Sequence, residues 1–337
     1  MSKTFKTCAI FFFTAVWLVV MRIVIGEVTL SDNVSDWVFS ALVQIFGMGV
    51  VPVVLYKFWV RESVIKGFSL NIRINPLLYL LAIVIGLVLH FAIRSFSILW
   101  QNVVFLLGYT PTNSGGTIYS GPEVLVMSLL CTAVLPGIFE ELTYRGLGKQ
   151  MLSKVKNEKV VIIVMGLLFG LGHQFILQTG YAFLAGCVFA FLAIKTRSIL
   201  PGMIIHFINN ALSVISEYSE QRNNAYHAFE NGVDALLYGS MGKVAITLVA
   251  SVAVLVLLLL LVKKLSSKMM DDGEKEEETT VFFPKTTQYV DELFGSGFSE
   301  IKVVQKSAAW YEYAFLYGAI ALMVITTYFS FAWGLMR

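Results

Sequence analysis

Hydrophobic positions in this chain do not alternate with polar ones; they gather into long runs separated by short charged connections. Nine runs stand near 8–26, 37–56, 77–99, 122–148, 160–178, 180–195, 199–217, 244–262 and 310–332. Runs of about 16–23 apolar residues match a hydrocarbon core roughly 30 Å thick. Lipid offers the backbone no hydrogen-bond partner, so each run must satisfy its own amides, and a helix does so where an open strand does not. The expected fold is all-α, a polytopic integral membrane helix bundle with about 8–9 transmembrane helices.

Pro122 and Pro201 stand where the fourth and seventh runs begin, positions at which a missing N–H costs little. The connections alternate in charge. Lys57, Arg61, Lys66 and Arg73 fall in one; Lys149, Lys154, Lys156 and Lys159 in another; Lys195 with Arg197 and Lys263 with Lys264 and Lys268 in two more. The connections between them, from Glu27 to Asp36, over 108–121 and from Glu217 to Asp234, are neutral or acidic. The positive-inside rule then places the N-terminus in the cytoplasm. The chain divides into N-terminal helices (1–121), a polar-studded core (122–217), an outer loop with one helix (218–262), an acidic cytoplasmic linker (263–309) and a last helix (310–337). The run Asp271-Asp272-Gly273-Glu274-Lys275-Glu276-Glu277-Glu278 in the linker predicts a solvated, flexible segment.

Composition agrees with a membrane protein: 57% of residues are hydrophobic and 14% charged, against roughly 45–50% and about 25% in soluble chains. Cys8, Cys131 and Cys187 all sit in apolar runs and read as small buried hydrophobes rather than a disulfide framework. The first run carries Trp17 and Arg22 and lacks a small-residue cleavage site, so it reads as a retained anchor. No basic stripe interleaved with aromatics points to nucleic acid.

One stretch departs from the apolar pattern. Glu140 and Glu141 end an apolar run and are followed by Arg145; His173 lies in Phe169-Gly-Leu-Gly-His173; His206 is followed by Asn209 and Asn210. A charge at the bilayer centre costs at least about 2.5–3.5 kcal/mol, so each such group needs a reason. Glu140 and His173 each lie about 16 residues from the basic hairpin near 156–157, which puts them at equal depth if both arms are helical. His206 is roughly 14 Å in from Arg197, with Asn210 on the same helical face. The four converge on a pocket expected to open toward the cytoplasm, where Pro136-Gly137 loosens the helix.

A carboxylate beside an imidazole can take a proton from water. A second imidazole with a carboxamide can stabilise the oxyanion that follows. These are the parts of an amide hydrolase that needs no Ser or Cys nucleophile. Glu141 and Arg145, at i and i+4, read as a supporting ion pair. Asn209 is an alternative donor if the helix is rotated. His90 with Arg94 reads as structural, His227 as solvated, and Arg22 as snorkelling to an interface.

Glu140-Glu141-x3-Arg145, Phe169-x3-His173 and His206-x3-Asn210, on consecutive runs, resemble the three motifs of the CPBP (CAAX protease and bacteriocin-processing, Abi) family of intramembrane proteases, which is related to the type II CAAX-prenyl endopeptidase. The resemblance implies that Glu140 and His173 activate water and that His206 and Asn210 form the oxyanion site. No cofactor is expected, since the usual His-x3-His pair is missing; a divalent metal such as zinc on Glu140, His173 and His206 is the alternative.

The expected function is therefore an intramembrane endopeptidase of the lipid bilayer acting on a peptide or protein substrate: a membrane-associated peptide, a lipidated protein or a bacteriocin-like propeptide. The expected location is a bacterial plasma membrane. The competing reading is a non-catalytic immunity or peptide-binding protein that uses the same pocket; a proton-coupled transporter is disfavoured because no inverted repeat is visible.

Overall fold

In the computed structural model, residues 1–27, 33–111, 117–280 and 309–336 are described, and no strand occurs among them. The helices are α1 (Lys3–Glu27), α2 (Trp37–Val60), the single turn α3 (Val64–Gly67), α4 (Pro76–Leu106), α5 (Pro122–Met151), α6 (Glu158–Gly172), α7 (Ile176–Thr196), α8 (Leu200–Arg222), α9 (Ala225–Leu237), α10 (Met241–Thr280) and α11 (Ala314–Leu335). Pro begins α4 and α5 and stands second in α8, and Asn75 caps α4 by accepting from the Leu77 amide at 2.8 Å.

Among the described residues, seven helices are long and apolar enough to cross a membrane: α1, α2, α4, α5, α7, α10 and α11 as extended by its 3-10 entry turn. The expected count of about 8–9 is thus corrected. Helix α6 has only 15 residues, about 22 Å at 1.5 Å each, short of a hydrocarbon core. Helix α8 has the length, at 23 residues, but carries His206, Asn209, Asn210, Glu217 and Glu220. The two helices that fall short are the ones bearing the candidate histidines.

Packing explains how they remain in the bundle. Helices α6 and α7 form a close hairpin in which a Cβ on Gly186 would stand 2.9 Å from the Cα of Gly166. Small residues of this kind let helix backbones approach where lipid supplies no hydrophobic drive. Helix α8 is wedged between α4 and α5, and α4 also packs on α10. Ile10, Phe11, Tyr56, Leu147, Met165 and Phe189 belong to one continuous core. The first run is accordingly a packed helix of the bundle.

Charges stitch both ends. At the basic end Lys3 pairs with Glu62, Lys195 with Glu158, and Lys154 with Glu312 at 2.8 Å. At the other end Arg94 pairs with Glu230 at 3.2 Å and with Asp234. Arg94 therefore holds α9 to α4, instead of acting with His90 as a pair. The stretch expected as an outer loop is largely helical, because α9 occupies it. His227 lies on that helix, its ring nitrogen 3.0 Å from the Asn231 amide. The acidic run expected to be flexible continues α10 as helix as far as Thr280; residues 281–308 of the linker lie outside the described residues. Cys8, Cys131 and Cys187 are unpaired, the first two fully buried.

Candidate active site

The site begins with a proline. Pro136 has no N–H, so the carbonyls one turn earlier in α5 lose their helical partner. π-helical turns over Leu129–Val134 and Leu142–Leu147 flank the position, and such widened turns recur at functional sites. Neighbouring helices take the released carbonyls. Ser40 Oγ on α2 donates to the Cys131 carbonyl at 3.0 Å, and Asn210 Nδ2 on α8 donates to the Thr132 carbonyl at 2.9 Å. The expected loosening is real, but it ties three helices together. Gly137 follows, where a Cβ would lie 3.3 Å from the backbone nitrogen of Phe207. That close approach delivers Glu140 to His206.

Glu140 is 9% exposed. Its Oε1 accepts from Gln44 Nε2 at 2.8 Å. Its Oε2 has no hydrogen-bond partner among the described residues and lies 3.8 Å from His206 Nε2. Glu141 and Arg145 are fully buried, with Arg145 Nη1 donating to Glu141 Oε1 at 2.7 Å and Nη2 to the Gly186 carbonyl at 3.3 Å. The guanidinium lies over the rings of Phe169 and Phe189, at 4.3 and 4.8 Å, which offsets part of its desolvation. Glu141 Oε1 also stands 3.1 Å from His206 Nδ1. A carboxylate only accepts, so this nitrogen carries a proton.

His173 caps α6 in the turn to α7, next to Gln174, whose φ of 52° is left-handed. It therefore sits at a helix end, because the helix expected over 160–178 stops at Gly172. Its Nδ1 lies 2.9 Å from the Phe169 carbonyl. A carbonyl accepts too, so Nδ1 holds the proton, and Nε2 of the neutral ring presents its lone pair. Arg22 Nη1 donates to the His173 carbonyl at 2.9 Å; instead of merely snorkelling, it pins the turn. The Phe169 ring meets both imidazoles edge-on, with centroids 4.9 Å from His173 and 5.5 Å from His206.

Glu140, His173, His206 and Asn210 line one cavity of about 860 Å³. Asn209 also lines it, but its amide donates to the Ile205 carbonyl at 2.9 Å and the Gly86 carbonyl at 3.3 Å, which locks α8 to α4. The cavity runs from Glu140 and His206 to Glu217, Glu220 and Glu230, and among the described residues none of the basic connections lines it. The expected opening at the basic end is thereby corrected, because α8 carries its polar face toward the opposite end.

Gln44 was not among the expected site residues. Its signal was a lone carboxamide in the apolar run 37–56. Among the described residues no group of three or more His, Cys, Asp and Glu is placed to hold a metal ion.

Residues 122–212 match the family model described as type II CAAX prenyl endopeptidase Rce1-like. The match supports the CPBP, CAAX-protease family for the segment that carries all three motifs. No curated protein and no solved structure matches the chain.

Proposed function

We propose that the chain is a membrane-embedded endopeptidase in which Glu140 and His173 activate water. The observation that carries this reading is that Glu140, with an Oε2 lacking a hydrogen-bond partner among the described residues, and His173, whose Nδ1 is engaged by the Phe169 carbonyl, line one cavity. A water donating one hydrogen to each has its own lone pair directed at a peptide carbonyl. Glu140 takes the proton as the C–O bond forms and passes it to the leaving amine as the C–N bond breaks. Gln44 holds Oε1 and leaves Oε2 for the water.

His206 and Asn210 stabilise the tetrahedral oxyanion. The Asn210 amide has a second hydrogen besides the one bound to Thr132. For His206 the hydrogen bond to Glu141 sets a condition: Nε2 donates only when the ring is an imidazolium. Glu141 and Arg145 orient His206 through this contact. No metal is assigned a step. If a divalent ion such as zinc were required instead, dialysis against a strong chelator would abolish turnover, whereas this mechanism expects none of it to be lost.

The match to a CAAX prenyl endopeptidase model supports a peptide or protein substrate in a membrane setting. A lipidated protein, a membrane-associated peptide and a bacteriocin-like propeptide all fit. The test is quantitative peptide mass spectrometry of membranes from cells carrying the wild type or Glu140→Gln. A peptide that accumulates uncut only in the variant supports the reading; identical peptide profiles from well-inserted proteins sink it in favour of a non-catalytic binding or immunity role.

A further inference from the structure

We infer that the half of the cavity remote from Glu140 is a subsite for a lysine- or arginine-bearing segment of the substrate. The inference rests on the peptidase reading above and adds the chemistry of what enters.

Helix α8 supplies the argument. His206, Asn209, Asn210, Ser213, Glu217 and Glu220 all line the cavity, and their spacing of three or four residues keeps them on one helical face. A single polar stripe thus leads from the proposed oxyanion donors to two carboxylates. Glu230 on α9 joins them at the far end. The lining there contains three carboxylates and one guanidinium, Arg94, which is already held by Glu230 and by Asp234. Glu230 is further occupied by Ser216 Oγ at 2.7 Å. Among the described residues Glu217 accepts a hydrogen bond from Tyr119 Oη at 3.4 Å alone, and Glu220 is exposed. Among the described residues, no cation in the wall pairs with these two carboxylates.

The deep end supplies an independent observation. Glu140, nine-tenths buried and with an oxygen that has no hydrogen-bond partner among the described residues, lines the same cavity. The two features therefore belong to one ligand path. From His206 to Glu220 is 14 residues by number, about 21 Å along the helix. An extended peptide covers that in about six residues at 3.3–3.6 Å each. A cationic side chain about six residues from the cleaved bond meets Glu217 and Glu220 while the bond lies at Glu140. A wall of one sign favours the complementary charge in both encounter and register.

The test uses the full chain carrying Glu140→Gln in phosphatidylcholine nanodiscs. The probes are two rhodamine-labelled apolar peptides of about twelve residues, identical except that one bears a Lys-Lys pair near one end and the other Glu-Glu. Fluorescence anisotropy is expected to show the lysine peptide binding about tenfold tighter at low salt, with the preference fading as ionic strength rises. Glu217→Gln/Glu220→Gln should erase the preference, and Glu220→Lys, at an exposed position, should reverse it even if the double variant folds poorly. Equal binding of the two peptides, or a preference that survives Glu220→Lys, overturns the inference. Lysine preference without any cleavage by the wild type would defeat the peptidase reading alone; cleavage without charge preference would defeat this inference alone.

Discussion

His206 bridges two carboxylates: its Nδ1 stands 3.1 Å from Glu141 Oε1 and its Nε2 3.8 Å from Glu140 Oε2. The first contact fixes the ring, and the second places its other nitrogen beside the proposed base. Removing the base is therefore expected to remove proton transfer without disturbing the ring. Glu140→Gln keeps the bond to Gln44 and should lower kcat by about 10²–10⁴-fold, with KM little changed. His206→Ala should cost about 10²–10³-fold as an oxyanion donor. Turnover of the peptide that accumulates in the Glu140→Gln membranes is the measurement. Glu140→Gln activity within a few-fold of the wild type would remove Glu140 from the chemistry.

Gln44 acts one step back. It holds Glu140 Oε1 at 2.8 Å, so Gln44→Leu leaves the carboxylate present but free to rotate. A small misplacement of a reacting group costs on the order of 10²-fold. The expected signature is a fall in kcat of that order, with peptide binding and thermal stability retained. A melting temperature that falls together with kcat would reduce Gln44 to a packing residue.

Glu141 and Arg145 call for a different readout. Both are wholly buried and bonded to each other at 2.7 Å. Removing one partner strands a buried charge, at a cost of about 3–5 kcal/mol, while replacing both with apolar groups can be nearly neutral. Glu141→Leu and Arg145→Leu are each expected to unfold at markedly lower denaturant, and the double variant to recover most of the stability. Its activity should stay low, because His206 has lost the carboxylate on Nδ1. Arg145→Lys is not expected to rescue, since an ammonium cannot reproduce the fork to Glu141 and Gly186 together with the stacking on Phe169.

The legible parts of this molecule were those with a local cost. Long apolar runs declare helices, and charges within them declare a site; hence Glu140, His173, His206 and Asn210 could be picked from the chain and do line one cavity. What escaped depends on contacts distant in sequence. Gln44 is 96 residues from Glu140, and a single Gln in an apolar run carries no partner's address. The direction of the cavity depends on which face of α8 turns inward, and the basic connections do not encode that. The count by length and composition differs at α6 and α8, which are too short or too polar-striped to qualify by themselves and are sheltered by the surrounding helices.

Pro136 offers a test of how backbone and site are coupled. Pro136→Ala restores an N–H that competes for the carbonyls now held by Ser40 and Asn210. Helix α5 gains regularity, yet each displaced hydrogen bond was worth about 0.5–1.5 kcal/mol. Global stability should change by less than about 2 kcal/mol in either direction, while kcat falls because Asn210 is no longer tethered beside His206. Full activity in Pro136→Ala would show that the tether to Thr132 does not position the donor.

The course of α8 sets which side of the membrane feeds the site. Helix α8 starts at Leu200, just past Arg197 at the basic end, and its 23 residues carry it to Arg222, about 34 Å away. Glu220 therefore lies at the end opposite Lys66, and the cavity reaches Glu220. If the basic connections face the cytoplasm, as the positive-inside rule requires, a peptide enters from the outer side. Cysteine labelling in intact cells distinguishes the two cases. Glu220→Cys should react with a membrane-impermeant maleimide added outside, and Lys66→Cys should react only after the cells are opened; Cys8 and Cys131 are buried and leave little background. Both sites labelling from the same face would mean that α8 does not cross, and the path from Glu220 to Glu140 would then not lead into the membrane.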